Sequence, residues 1–233
     1  VKGADHDPAT IAGAERYYAS FVIDEKSGKP KTYVLNESNP SGTWKRHSYE
    51  FCPAAPGTKE FFRSVIDQTH ALGVDIVQMD QTTSGAADAC YSTSHGHPVG
   101  PGAYQSKAFW ELLADMRQYG RSLSPQFVFL HEEPHEELIP YLDGFHTREY
   151  KEGSWYRGAP GARGIPLFSY LYHEYAIAYG GEGPSAVKAK SPHVVWQHAV
   201  NLATGKTPAV SVWSNQAAMA EAHPDQIKML RNH

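Results

Sequence analysis

The chain has 233 residues, 41% of them hydrophobic and 20% charged, with a formal net charge of -4. That is enough for one large domain or two small ones with a substantial core. The weak negative charge leaves no basic footprint for nucleic acid, no apolar run approaches the roughly 20 residues of a membrane-spanning helix, and no basic cluster suits an anionic membrane surface. Two cysteines, Cys52 and Cys90, are too few for a disulfide scaffold. Two reduced thiols are expected, with a single bridge as the alternative. The chain opens at Val1 without a charged-then-apolar leader, so a secreted or periplasmic location is expected only if an upstream signal belongs to the protein.

Residues 1–48 read as an irregular segment, a loop insertion carrying one β-hairpin. Its arms are 17–23 and 32–35, around the turn-prone Ser27-Gly28-Lys29-Pro30. From 49 to 233 short apolar runs alternate with helical periods, the pattern of βα units on a parallel sheet. Residues 49–52 are the first strand candidate. A helix is predicted over 59–72, with Phe61, Phe62, Val65 and Ile66 on one face and Gly73 beyond its end. A strand follows at 74–79. Residues 107–119 form the clearest helix, with Phe109, Leu112, Leu113 and Met116 on one side and Gly120 placed to stop it. Strands are predicted at 127–130, around Phe145, at 166–171 and at 209–213. A third helix, 191–205, opens with Ser191 as cap and Pro192 in its first turn and closes at Gly205. About six strand candidates against the eight of a closed barrel predict an α/β chain, a (β/α)8 TIM barrel that lacks its N-terminal strands.

In parallel sheets and barrels, reactive groups collect at the carboxyl ends of strands. That rule selects Asp80 and Gln81 after one strand, His131, Glu132 and Glu133 after the next, and His146 and Arg148 after Phe145. It also selects Tyr172, His173 and Glu174 after the run ending at 171. Two carboxyl groups facing each other across a sugar pocket are what glycosidic cleavage needs. Asp80 is the expected nucleophile or base, and Glu132 or Glu133 the acid. Strand alternation points only one of that pair inward, and Glu132 is preferred. Turn capping by Asp80 with a solvated Glu pair is the plainer alternative. Tyr91, His95 and His97 lie in a long loop expected to cover the pocket and contact sugar. Trp155, in a loop, could stack on a sugar face. The His95-x-His97 spacing with Cys90 suggests a metal but fits no standard zinc pattern, so neither metal nor cofactor is expected.

Several ordered segments carry a family resemblance: Phe51-Cys52-Pro53-Ala54, the stretch from Leu72 to Gln81, Ala89-Cys90-Tyr91 and His95-Gly96-His97-Pro98. They continue with Glu132-Glu133-Pro134-His135-Glu136, Ile139-Pro140-Tyr141-Leu142-Asp143 and Tyr172-His173-Glu174-Tyr175. Together, over roughly residues 49–215, they resemble a group of bacterial barrel domains catalogued as domain of unknown function 6259 and regarded as glycoside-hydrolase-like. More distantly, Gly73-Val74-Asp75 leading through apolar residues to Asp80 is similar to the nucleophile strand of retaining α-galactosidases and related α-glycosidases. That likeness implies Asp80 as nucleophile and a Glu on the next strand as acid/base, where the distant families often use Asp.

The expectation is a cofactor-free glycosidase acting on an oligo- or polysaccharide, with no nucleic-acid or membrane partner. Its rivals are a non-catalytic carbohydrate-binding barrel and a metal-dependent barrel hydrolase using the histidines.

Overall fold

A computed structural model describes residues 14–39, 42–80, 88–147, 167–179, 199 and 201–207. The chain divides into two compact units, residues 1–77 with 82–128, and residues 78–81 with 129–233.

The described part of the first unit begins with a 3-10 helix, Ala14–Ser20, rather than the expected hairpin arm. The turn at Ser27-Gly28 is real: Gly28 takes φ +62° and its N–H donates to the Asp24 carbonyl. It joins only a bridge between Ile23 and Pro30. The hairpin lies one step later, where β1 (Thr32–Asn39) pairs antiparallel with β2 (Gly42–Tyr49). Residues 49–52 are not a parallel strand. Phe51 bridges Phe21 in antiparallel sense, and its ring stacks on Phe61 at 4.4 Å.

Helix α1 (Pro56–Ala71) begins earlier than predicted because Pro56 fits the first turn, where no N–H partner is needed. It ends as Gly73, at φ +77°, turns its N–H back onto the His70 carbonyl. Helix α2 (Tyr104–Leu123) also outruns its prediction. Gly120 does not stop it. A methyl there would lie 2.3 Å from the Phe127 ring, so this glycine is required by close packing rather than by termination. α1 and α2 pack together, and Ile66, Leu112, Leu113 and Met116 are buried. Arg63 clamps Asp115 at 2.9 and 2.5 Å, and the Tyr119 hydroxyl donates to Asp67 at 2.6 Å.

A four-stranded sheet runs in the order β3 (Ile76–Met79), β4 (Val128–His131), β5 (Gly144–His146), β6 (Ile177–Tyr179). β4, β5 and β6 are parallel, and Thr207 bridges Tyr179 in the same sense. The predicted strand at 166–171 is a correction: Leu167–Tyr172 is a helix, α3. Phe168 and Tyr172, one turn apart, meet with ring centroids 5.1 Å apart, and Phe168 sits edge-on against Phe145. An apolar run this short fits either period, and the i, i+4 aromatic pair decided it. The true strand, β6, is only three residues long and escaped prediction. The predicted strand at 209–213 lies outside the described residues, as does most of the helix predicted over 191–205. Gly205 does close that segment, with φ +70°.

Candidate active site

The carboxyl ends of these strands place a group of polar side chains on one face. The Glu132 N–H donates to the Met79 carbonyl at 3.0 Å. In a parallel ladder that bond sets Glu132 beside Asp80, one residue past each strand end. Across the next strands, His131 pairs with Phe145, Gly144 with Ile177 and His146 with Tyr179. Side chains alternate along a strand, so Gln78, His146 and Tyr179 share one face, and Asp80 and Glu132 follow directly after the ends of β3 and β4. Met79, His131, Phe145 and Ala178 share the other, and all four are buried.

Two contacts support this assignment. The His146 and Tyr179 rings stack at 5.3 Å, and the Tyr179 hydroxyl donates to the Gln78 side-chain carbonyl. Strands are spaced at about 4.8 Å, so β3 and β6 would stand roughly 14 Å apart in a flat sheet. A side-chain bond between them requires the sheet to curl with the Gln78–Tyr179 face on its concave side. Asp80 is exposed and Glu132 half-buried.

Not every residue nominated from sequence belongs there. His131 is a correction: it is fully buried, its Nδ1 meets the Glu133 carbonyl at 3.0 Å, and its ring lies edge-on to Phe145. Burial lowers its pKa, partly offset by the Glu133 carbonyl and by Asp80. Tyr172, His173 and Glu174 are also corrected, because they end or follow α3 and precede β6. His173 and Glu174 line a cleft of about 350 Å³ with Asp143 and Thr207, at the amino ends of β5 and β6. The Tyr172 hydroxyl donates to Glu136 at 2.7 Å. Gln81, Arg148 and Trp155 fall outside the described residues.

Tyr91, His95 and His97 belong to the first unit. Tyr91 lies against Gly100 and beside Glu25. His95 and His97 gather with the free thiols of Cys52 and Cys90. Cys52 Sγ is 3.3 Å from His97 Nε2, and Cys90 Sγ is 3.4 Å from His95 Nδ1. Burial pushes the Cys52 thiol up to about 12 and lowers the His95 pKa. Sequence reasoning missed two groups outright, Gln78 and Tyr179. A polar residue two positions before Asp80 in an apolar strand was a usable signal for Gln78. Tyr179 could not be found without β6.

The sequence matches the family described as "Domain of unknown function (DUF6259)" over residues 6–182. The chain belongs to that family. A search of curated proteins finds no match for this DUF6259 chain. Among solved structures it is similar to the ligand-free α-N-acetylgalactosaminidase of Bifidobacterium bifidum, at 17% identity and TM-score 0.51, covering 83% of this chain. A quadruple mutant of the same enzyme aligns over 91% of the chain at 18% identity and TM-score 0.49. At such identity the likeness is one of fold. The DUF6259 chain spans 29% of the length of each of these structures.

Proposed function

We propose that this chain supplies the catalytic face of a (β/α)8-barrel glycoside hydrolase, with Asp80 and Glu132 as its carboxyl pair. The observation that supports the reading is the backbone bond from Glu132 to Met79, which puts Asp80 and Glu132 in register just past the ends of adjacent strands. Strand order supports the barrel. β3 to β6 and then Thr207 follow one another in chain order without reversal, as in a barrel and unlike a doubly wound sheet with its switch point.

Asp80, the more exposed of the two, is the nucleophile. Glu132, half-buried beside it, is the acid that protonates the leaving oxygen and then the base that activates water. Residues in register on adjacent strands suit the short separation, about 5 to 5.5 Å, of retaining enzymes. His146, Tyr179 and Gln78 line the sugar site, with His146 and Tyr179 offering ring faces as well as polar atoms. Glu133, next along the chain, is on the other side of the alternation and is not the acid.

The test uses purified protein and a panel of α- and β-linked aryl glycosides, beginning with the α-N-acetylgalactosaminide that the structural neighbour's name suggests. Asp80→Asn is expected to abolish turnover. Glu132→Gln should cost roughly 100- to 10,000-fold, the range of a lost general acid. Glu133→Gln should cost less than tenfold. NMR of the first-formed anomer should show retention. Sugar binding without hydrolysis of any panel member would refute catalysis and leave a carbohydrate-binding barrel. A larger loss at Glu133 than at Glu132 would refute the acid assignment.

A further inference from the structure

The cluster of Cys52, Cys90, His95 and His97 has no part in the chemistry above and sits in the other unit of the chain. We propose that it is a structural zinc site of the Cys2His2 type. One ligand atom from each residue lies within 4.8 Å of all the others. Tetrahedral zinc, with Zn–S near 2.3 Å and Zn–N near 2.0 to 2.1 Å, has S···N edges of about 3.6 Å. The two Cys–His pairs, at 3.3 and 3.4 Å, approach that edge.

The remote ring nitrogens fix the donors. His95 Nε2 lies 2.7 Å from the Ala19 carbonyl, and His97 Nδ1 lies 2.7 Å from the Pro98 carbonyl. A carbonyl only accepts, so each of those nitrogens carries the proton. The opposite nitrogens, His95 Nδ1 and His97 Nε2, are left with lone pairs turned toward the sulfurs. This is the outer-shell arrangement of metal-bound imidazoles. The Ile23 N–H points at Cys90 Sγ from 3.4 Å, a donor suited to a thiolate. His97 is stacked on Tyr104 with centroids 4.1 Å apart, which holds its ring in plane. Gly96, at φ +77°, lets two histidines one residue apart converge on one point.

Two thiolates with two imidazoles exclude the oxygen-seeking calcium and magnesium and select zinc. Four protein ligands leave no open position for water, so the ion holds structure rather than hydrolysing substrate. Its task is local cross-linking: Cys52 and Cys90 share a small core with Val22 and Ala55. Two separate stretches of chain meet there, since Cys52 is distant in sequence from Cys90 and the two histidines.

The test is metal analysis of the purified protein expressed with zinc present. One zinc per chain is expected, protecting both thiols from a thiol reagent until a chelator is added. Cys90→Ser and His97→Ala should each lose the zinc, whereas His70→Ala, outside the cluster, should keep it. Where a variant fails to fold, cobalt loading of the unaltered protein decides, through the visible bands of a tetrahedral thiolate–imidazole site. Less than a tenth of a zinc per folded chain with no cobalt spectrum, zinc retained in the variants, or a Cys52–Cys90 disulfide by mass spectrometry would each overturn the assignment.

Discussion

Replacing Gly144 by alanine tests the strand geometry beneath the proposed site. A methyl on Gly144 would stand 2.3 Å from the Ile177 carbonyl oxygen and 2.7 Å from its Cβ, where ordinary contact begins at 3.4 Å. The obstacle is backbone, so no rotamer change relieves it, and β6 must retreat by about 1 Å. β6 is tied down by its pairing with β5 and by the Ile177 N–H bond to the Asp143 carbonyl at 2.9 Å. The cost therefore belongs at the upper end of overpacking, about 3 kcal/mol. Gly205→Ala is the control in the same unit. It meets nothing within 4 Å, and its cost is the positive φ of +70°, about 1 to 2 kcal/mol. Urea unfolding at equilibrium measures both. With a slope of about 1 to 3 kcal/mol per molar, the Gly144 variant should unfold at a urea concentration lower by roughly 1 M or more. Because His146 and Tyr179 ride on the two strands that part, turnover should fall in the folded variant as well. A Gly144→Ala protein within 1 kcal/mol of the parent, or one more stable than Gly205→Ala, would refute the reasoning.

Leu113→Ala removes a fully buried side chain of α2 and should cost about 2 to 5 kcal/mol by denaturant unfolding. Arg63→Ala should cost no more than about 1 kcal/mol, because the Arg63 side chain is 46% exposed beside Asp115. His131 is buried and neutral, with its pKa lowered chiefly by burial. The unfolded chain therefore binds its proton more readily. Its contribution is intact above the ordinary histidine pKa of about 6.5 and is lost as pH falls from there toward the depressed folded value. His131→Gln should flatten melting temperature against pH over that acidic window, and an unchanged slope would count against the burial argument.

Much of the outline was legible from sequence because local chemistry fixed it. The periods of α1 and α2, the Gly73 stop and the apolar runs leading to Asp80 and Glu132 each follow from neighbours a few residues away. The preference for Glu132 over Glu133 rested on strand alternation, and the backbone bond from Glu132 to Met79 puts Glu132 in register with Asp80. Where sequence misled, the deciding partner was remote. Gly120 looked like a helix stop until Phe127 filled the space beside it. The run 166–171 looked like a strand, but Phe168 pairs with Tyr172 one turn on and meets Phe145 from another element. His131 looked like a site residue until the opposite face of the sheet enclosed it. The four residues proposed to bind zinc have no familiar spacing, and only folding brings Cys52 to Cys90, His95 and His97. Spacing along a chain reports geometry only within one element; between elements, it is the packing of distant side chains that sets which groups meet.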